Sequence, residues 1–141
     1  QVSVWRSSET LFTHAARVPG RNYIAHANLG NALVDSGRLS EAIAQFDEAL
    51  RIKPNYADAH FNLANTLARV GRIPEAVVHF QCAVAARPDF PEARNNLGLL
   101  LLSQGRHDEA LVQFQSALRA HPDDPRARRN LERALNVRRQ H

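Results

Sequence analysis

Apolar and small residues recur along this chain at a fixed step of 34. Leu29, Leu63 and Leu97 share it, as do Leu33, Leu67 and Leu101, then Ala42, Ala76 and Ala110, Phe46, Phe80 and Phe114, and Ala49, Ala83 and Ala117. Gly37, Gly71 and Gly105 punctuate the same period, and Pro54, Pro88 and Pro122 close it. Polar columns keep the step too: Arg38, Arg72 and Arg106 follow each Gly, and Glu41, Glu75 and Glu109 precede each column Ala. Chance does not hold so many columns over three copies, and a fixed period of this length marks a stacked repeat.

Each period predicts two helices, the first over 23–36, 57–70 and 91–104 and the second over 40–52, 74–86 and 108–120. Asn55 and Asp89 stand three residues before Asp58 and Glu92, a capping-box spacing. The first helix stops where Gly can take the left-handed C′ conformation. Ser40 and Asp108 are the expected N-caps of second helices, and Pro74 suits a first helical turn. Pro54, Pro88 and Pro122 forbid continuation.

The columns read as packing. Gly30, Ala64 and Gly98 are expected to face Ala42, Ala76 and Ala110 and let two backbones approach, with Phe46, Phe80 and Phe114 filling a wider gap further along. One hairpin cannot bury its apolar face, so each repeat must cover its neighbour. Residues 125–141 repeat the first-helix pattern with Leu131 and Leu135 inward and then turn polar, as a capping helix and basic tail would. Before the repeats, residues 1–22 hold Ser8–Ala15, which reads as one more second helix, with Phe12 and Ala15 near the Phe and Ala columns and Pro19 ending it early. The expected division is therefore 1–22 as N-terminal cap, repeats over 23–56, 57–90 and 91–124, and 125–141 as C-terminal cap.

Composition agrees with helix. Apolar residues make up 44% and aromatics only 6%, and Ala and Leu supply most of the apolar content. No apolar run approaches the length of a membrane span, so this stretch is not expected to insert into a membrane. No signal peptide is visible. Met is absent even at position 1, which suggests a piece of a longer chain. Cys82, as the single Cys, can form no internal disulfide and leaves the redox compartment open. The net charge of +4 is concentrated in residues 126–141, where six Arg face Glu132 alone. A terminal cluster of this kind keeps an exposed end soluble, whereas a nucleic-acid binder spreads basic residues along a face. No nucleic-acid partner is expected.

The 34-residue step with its Gly–Ala–Phe–Ala–Pro order resembles the tetratricopeptide repeat (TPR) family over residues 23–139. The resemblance implies an all-α, right-handed solenoid of helix-turn-helix hairpins whose inner surface is lined by first helices and binds polypeptides. The chain departs from the family at the fourth position, where His26, His60 and Arg94 replace the frequent bulky aromatic. That is expected to loosen one edge contact.

On the implied inner surface, Asn28, Asn62, Asn96 and Asn130 form one column. A short amide both donates and accepts, so four in line could pair with the backbone of an extended peptide. This arrangement resembles the asparagine ladder of O-GlcNAc transferase. The alternative is that these amides tie helix ends or neighbouring repeats together. Asn31, Asn65 and Asn95 add further amides. Phe61, Leu99 and Leu102 add apolar surface. Asp35, Asp58 and Glu92 bring negative charge, and Arg69 with Arg126, Arg129 and Arg133 positive charge. The simple electrostatic expectation is a partner basic at one end and acidic at the other. A carboxylate clamp for chaperone C-termini does not fit, because its positions hold Ala27, Asn31, Asn62, Glu92 and Asn96, and Glu92 repels a carboxylate.

Catalytic chemistry is not called for. His26 and His60 sit on adjacent repeats without a third ligand, so they read as packing residues and not as a metal site. Cys82 reads as a small apolar filler. There is no Gly-rich phosphate loop and no nucleophile elbow, and the repeated carboxylates at helix starts complement helix dipoles. No enzyme activity, metal or cofactor is expected. The stretches Val4–Phe12 and Asn22–Gly30 resemble a junction in membrane glycosyltransferase-like proteins of the O-mannosyltransferase group, where TPR hairpins follow the last membrane span. That resemblance implies a position outside the bacterial cytoplasm or in a lumen, recruiting acceptor polypeptides. Three readings follow: a peptide-binding scaffold, a substrate-recruiting region of a glycosyltransferase, and a module binding a second copy of itself.

Overall fold

The computed structural model describes residues 22–140, and among these it shows seven helices and no strand. They are α1 (Asn22–Asp35), α2 (Leu39–Ile52), α3 (Ala57–Arg69), α4 (Ile73–Ala86), α5 (Pro91–Ser103), α6 (His107–Ala120) and α7 (Pro125–Arg139). The fold is all-α, and the helices fall where the 34-residue pattern puts them, to within a residue or two. The expected N-terminal capping helix lies outside the described residues.

The glycine turns close as expected. Gly37, Gly71 and Gly105 have φ of 78, 86 and 75°. At the first, the Gly37 N–H donates to Val34 O (2.9 Å) and the Arg38 N–H to Leu33 O (2.8 Å), the paired bonds of a Schellman motif. Gly71 with Arg72, and Gly105 with Arg106, repeat it.

Helix starts differ from expectation. Ser40 and Asp108 lie inside the first turns of α2 and α6, whose N-caps are Arg38 and Arg106. Asn55 and Asp89 precede the caps Tyr56 and Phe90. None of these four caps accepts a backbone N–H with its side chain. The Schellman turn fixes the reason for α2 and α6: its closing residue, the Arg, becomes the cap of the next helix. Its guanidinium then reaches a first-turn carboxylate, Arg38 Nε to Glu41 at 2.8 Å, Arg72 Nε to Glu75 at 2.7 Å and Arg106 Nε to Glu109 at 2.8 Å. Asp124 does cap α7, accepting from the N–H groups of Arg126 (2.9 Å) and Ala127 (3.4 Å).

The helices group into two compact units, divided within α4 between His79 and Phe80. In residues 22–79, Phe46, Leu63 and Leu67 are the largest side chains fully buried with the column alanines. A Cβ on Gly30 would stand 2.6 Å from Phe46 Cε1. In residues 80–140, Phe114, Leu97 and Leu101 fill the core, and a Cβ on Gly98 would stand 2.4 Å from Phe114 Cε1. The two glycines therefore make room for a phenylalanine ring, which was expected to fill a gap further along. A further column escaped the sequence reading: Ala25, Ala59, Ala93 and Ala127 share the 34-residue step, and all are buried. On α7, Ala127 and Ala134 are the buried residues, with Leu131 and Leu135 only half-buried.

Candidate functional site

In residues 22–79, α1 and α3 lie side by side and leave a groove of about 300 Å³ lined by Asn31, Val34, Asp35, Asn62, Asn65, Thr66 and Arg69. These residues sit three or four apart on their helices, which puts them on one face of each. Thr66 Oγ1 donates back to the Asn62 carbonyl at 2.7 Å, so its hydroxyl is spent within α3. Among the described residues, the side chains of Asn31, Asn62, Asp35 and Arg69 make no hydrogen bond or ion pair. The groove thus offers two uncommitted amides, a carboxylate and a guanidinium, with Val34 as an apolar strip. Asn28 lies exposed on α1, and Asp58 and Phe61 are half-buried at the start of α3.

The amides of residues 80–140 are arranged differently. Asn95, expected on the binding surface, is 3% exposed. Its Nδ2 donates to Pro91 O (3.0 Å) and to Asp124 Oδ2 (3.2 Å), and its Oδ1 accepts from Asn130 Nδ2 (3.3 Å). Asn95 is therefore a scaffold amide, and Asn130 has one N–H committed to it. In the 34-residue frame position 95 matches Phe61 one period back and Ala27 two periods back, and Ala27 is likewise 3% exposed. Burial pushes the Asp124 carboxyl up, but the two backbone N–H groups, the Asn95 amide and the Arg126 charge together hold it below the ordinary carboxylate range. Asn96 is half-buried on α5, Leu99 and Leu102 likewise, while Glu92, Arg129 and Arg133 are exposed.

Two family models match the sequence, one for the TPR repeat over residues 30–71 and one for the tetratricopeptide repeat over residues 61–125. The chain is a tetratricopeptide repeat protein. Solved structures share its fold. MamA matches with a TM-score of 0.83 at 21% identity, covering 92% of this chain and 76% of that one. A tetratricopeptide repeat protein from Parabacteroides merdae gives 0.83 at 24% identity over 92% of this chain and 53% of its own. The first TPR of Spaghetti (RPAP3), bound to the HSP90 peptide SRMEEVD, gives 0.78 at 19% identity over 85% and 95%. No curated protein sequence matches significantly.

Within this TPR protein, the fourth-position departure carries a strut where a loosened edge was expected. His26 Nδ1 donates to Gln45 Oε1 (2.7 Å), His60 Nδ1 meets His79 Nδ1 (3.0 Å) and Arg94 Nη1 donates to Gln113 Oε1 (3.0 Å). Each links a first helix to the second helix 19 residues on. The same column reaches back to the closing proline: His60 Nε2 to Pro54 O (2.7 Å), Arg94 Nε to Pro88 O (3.0 Å) and Arg128 Nη2 to Pro122 O (2.9 Å). The column was legible in the sequence, and its partners Gln45, His79 and Gln113 also keep the 34-residue step. Cys82 is half-buried on α4 with a free thiol. Among the described residues no group of three or more His, Cys, Asp or Glu could hold a metal ion.

Proposed function

We propose that this TPR protein is a protein-interaction module that holds an extended polypeptide along the α1–α3 groove. The observation that carries the reading is that groove, whose Asn31 and Asn62 amides have no partner in the scaffold. A side-chain amide matches a peptide unit, because it donates and accepts at once. Asn31 and Asn62 would pair with the backbone of the bound chain, Arg69 with an acidic side chain or terminus, and Asp35 with a basic one. Asn28 and Asn65 extend the same amide surface on α1 and α3, and Asp58 and Phe61 border its α3 side. Each amide contact adds about 0.5–1.5 kcal/mol, and a charged pair somewhat more. The similar Spaghetti domain bound to a peptide, SRMEEVD, supports an extended peptide as the ligand class.

In residues 80–140 Asn95 is held by the scaffold and Asn130 has one N–H committed to it. The proposed contact there is secondary to the groove. The role is binding, with any catalytic step supplied by other domains or proteins. A peptide-library screen on the chain tests the reading, repeated with Asn62→Ala, Arg69→Ala and Asn96→Ala. Selected peptides should lose affinity most with the first two. Equal binding by all three variants would remove the groove from the account.

A further inference from the structure

Among the described residues, His60 and His79 form a contact that no other hairpin has. The ring centroids are 5.2 Å apart and the two Nδ1 atoms 3.0 Å apart, so the imidazoles meet nitrogen to nitrogen, edge to edge. A hydrogen bond of this kind needs one donor and one acceptor. His60 Nε2 lies 2.7 Å from the Pro54 carbonyl, which can only accept, so the His60 proton sits on Nε2. Its Nδ1 is then the acceptor, and His79 Nδ1–H is the donor. At 3.0 Å the space between the rings holds a proton and no metal ion, whose bonds to nitrogen are about 2.0–2.1 Å each and would push facing nitrogens apart.

A first added proton goes to His79 Nε2 and leaves this bond intact. A second can go only to His60 Nδ1. It sets two N–H groups against each other and two cations side by side. The geometry points to a proton-operated latch: the His60–His79 contact holds α3 to α4 while one proton lies between the rings, and lets go when each ring carries its own. The charged groups that act on His79 are Asp47 from α2, Arg72 just before α4 and Glu75 in the first turn of α4. Burial and the His60 ring push the His79 imidazole below the ordinary histidine value, with Arg72 pushing the same way, while Asp47 and Glu75 pull against them. Among the described residues the latch is confined to this hairpin, because the equivalent struts use Gln45 and Gln113, which do not titrate.

Asn62, Asn65 and Arg69 follow His60 on α3, so release of the latch alters the groove. That consequence rests on the groove being the binding site; the latch itself does not. Amide exchange on the 141-residue chain at about pH 7.5 and about pH 5, corrected for intrinsic exchange, tests it directly. Protection of α3 should fall about tenfold or more, the change that one pKa unit produces, while α6 should hold. The double variant His60→Arg/His79→Gln copies the Arg94–Gln113 strut and should abolish the fall. A flat wild type, or an equal fall in the double variant, overturns the latch. Should that variant not fold, ring ¹⁵N shifts on the unsubstituted chain decide: His60 must be the Nε2–H tautomer and His79 the Nδ1–H tautomer at pH 7.5, and any other assignment overturns it. Peptide affinity measured alongside should drop at pH 5 in the wild type only. Failure of the groove reading would show separately, as no peptide bound at either pH with the exchange fall intact.

Discussion

Residues 22–79 and 80–140 share one helical frame, yet they join corresponding helices by opposite chemistry. In the first, Ala27 lies in an apolar cluster with Ala49 and Ala59, against which Tyr23, Leu50 and Tyr56 pack. Tyr23 and Tyr56 meet edge to face at 5.2 Å, with the Lys53 ammonium over both rings. In the second, the residues at the same places in the period are Asn95 and Asp124, joined by a buried hydrogen bond. Glycine against phenylalanine and the turns are the same in both. The period therefore fixes backbone and main core, while the helix junctions are free to change polarity. Where the junction is apolar, the Asn31 and Asn62 amides make no hydrogen bond among the described residues; where it is polar, it takes up Asn95 and one N–H of Asn130.

The shared frame can be broken first. Phe46→Ala and Phe114→Ala should each cost about 3–5 kcal/mol in urea unfolding. Similar losses are expected, because each ring presses on a glycine, and a large inequality would show that the two cores are not equivalent.

The junctions come next. Asn95→Ala leaves the buried Asp124 oxygen without its donor and should cost about 1–3 kcal/mol. Ala27→Asn should cost a similar amount for the converse reason, an amide placed among Ala49, Ala59 and Tyr56. Asn95→Ala with Asp124→Tyr rebuilds the apolar junction, so a double-mutant cycle should show a favourable coupling above about 0.5 kcal/mol. A coupling near zero would dissolve the proposed exchange of polarity.

Acidification should separate the two units in order. His79 is depressed in the fold, so on acidification the unfolded chain takes up its proton first. Stability of residues 22–79 is then lost as pH falls from about 6.5, the ordinary histidine value, toward the lower value of His79. Asp124 is a depressed carboxylate. Its contribution is complete above about pH 4 and is lost as pH falls through its folded value, so residues 80–140 should weaken later. Asp47, raised chiefly by burial, works with the opposite sign, adding stability as it protonates in the carboxylate range. Exchange followed helix by helix during a pH titration reads the order. Simultaneous loss in both units would contradict it.

The smallest effects belong to the groove. Asn62→Ala and Asn31→Ala should each weaken a bound peptide by about 0.5–1.5 kcal/mol, as read by calorimetry. Asn95→Ala should alter peptide affinity less than either, since its amide faces the scaffold.

Much of the fold could be read from the sequence because its signals are local and repeated. Gly37, Gly71 and Gly105 announce the turns, and Pro54, Pro88 and Pro122 the helix ends. Helix starts were harder. Polar residues near a start suggested side-chain caps, but at α2 and α6 the turn geometry had already assigned the cap to an Arg. The glycine column was visible, while the ring that fills its space is a three-dimensional fact. Of the candidate amides, the groove between α1 and α3 is lined by Asn31, Asn62 and Asn65. Asn95 stands one residue off the column of Asn28, Asn62, Asn96 and Asn130, at the place that Phe61 and Ala27 hold in the earlier periods. The partner that holds it, Asp124, is distant in sequence, and its role appears only when α5 and α7 meet.

The three glycine turns have one more consequence. A side chain added at Gly37, Gly71 or Gly105 meets nothing within 4 Å, so only handedness excludes it. A residue of mirror-image chirality prefers the backbone angles found there. Chemical synthesis placing D-alanine at Gly71 should therefore leave the loop unchanged and restrict the unfolded chain, a gain of roughly 0.4–1 kcal/mol, whereas L-alanine at that site would cost stability.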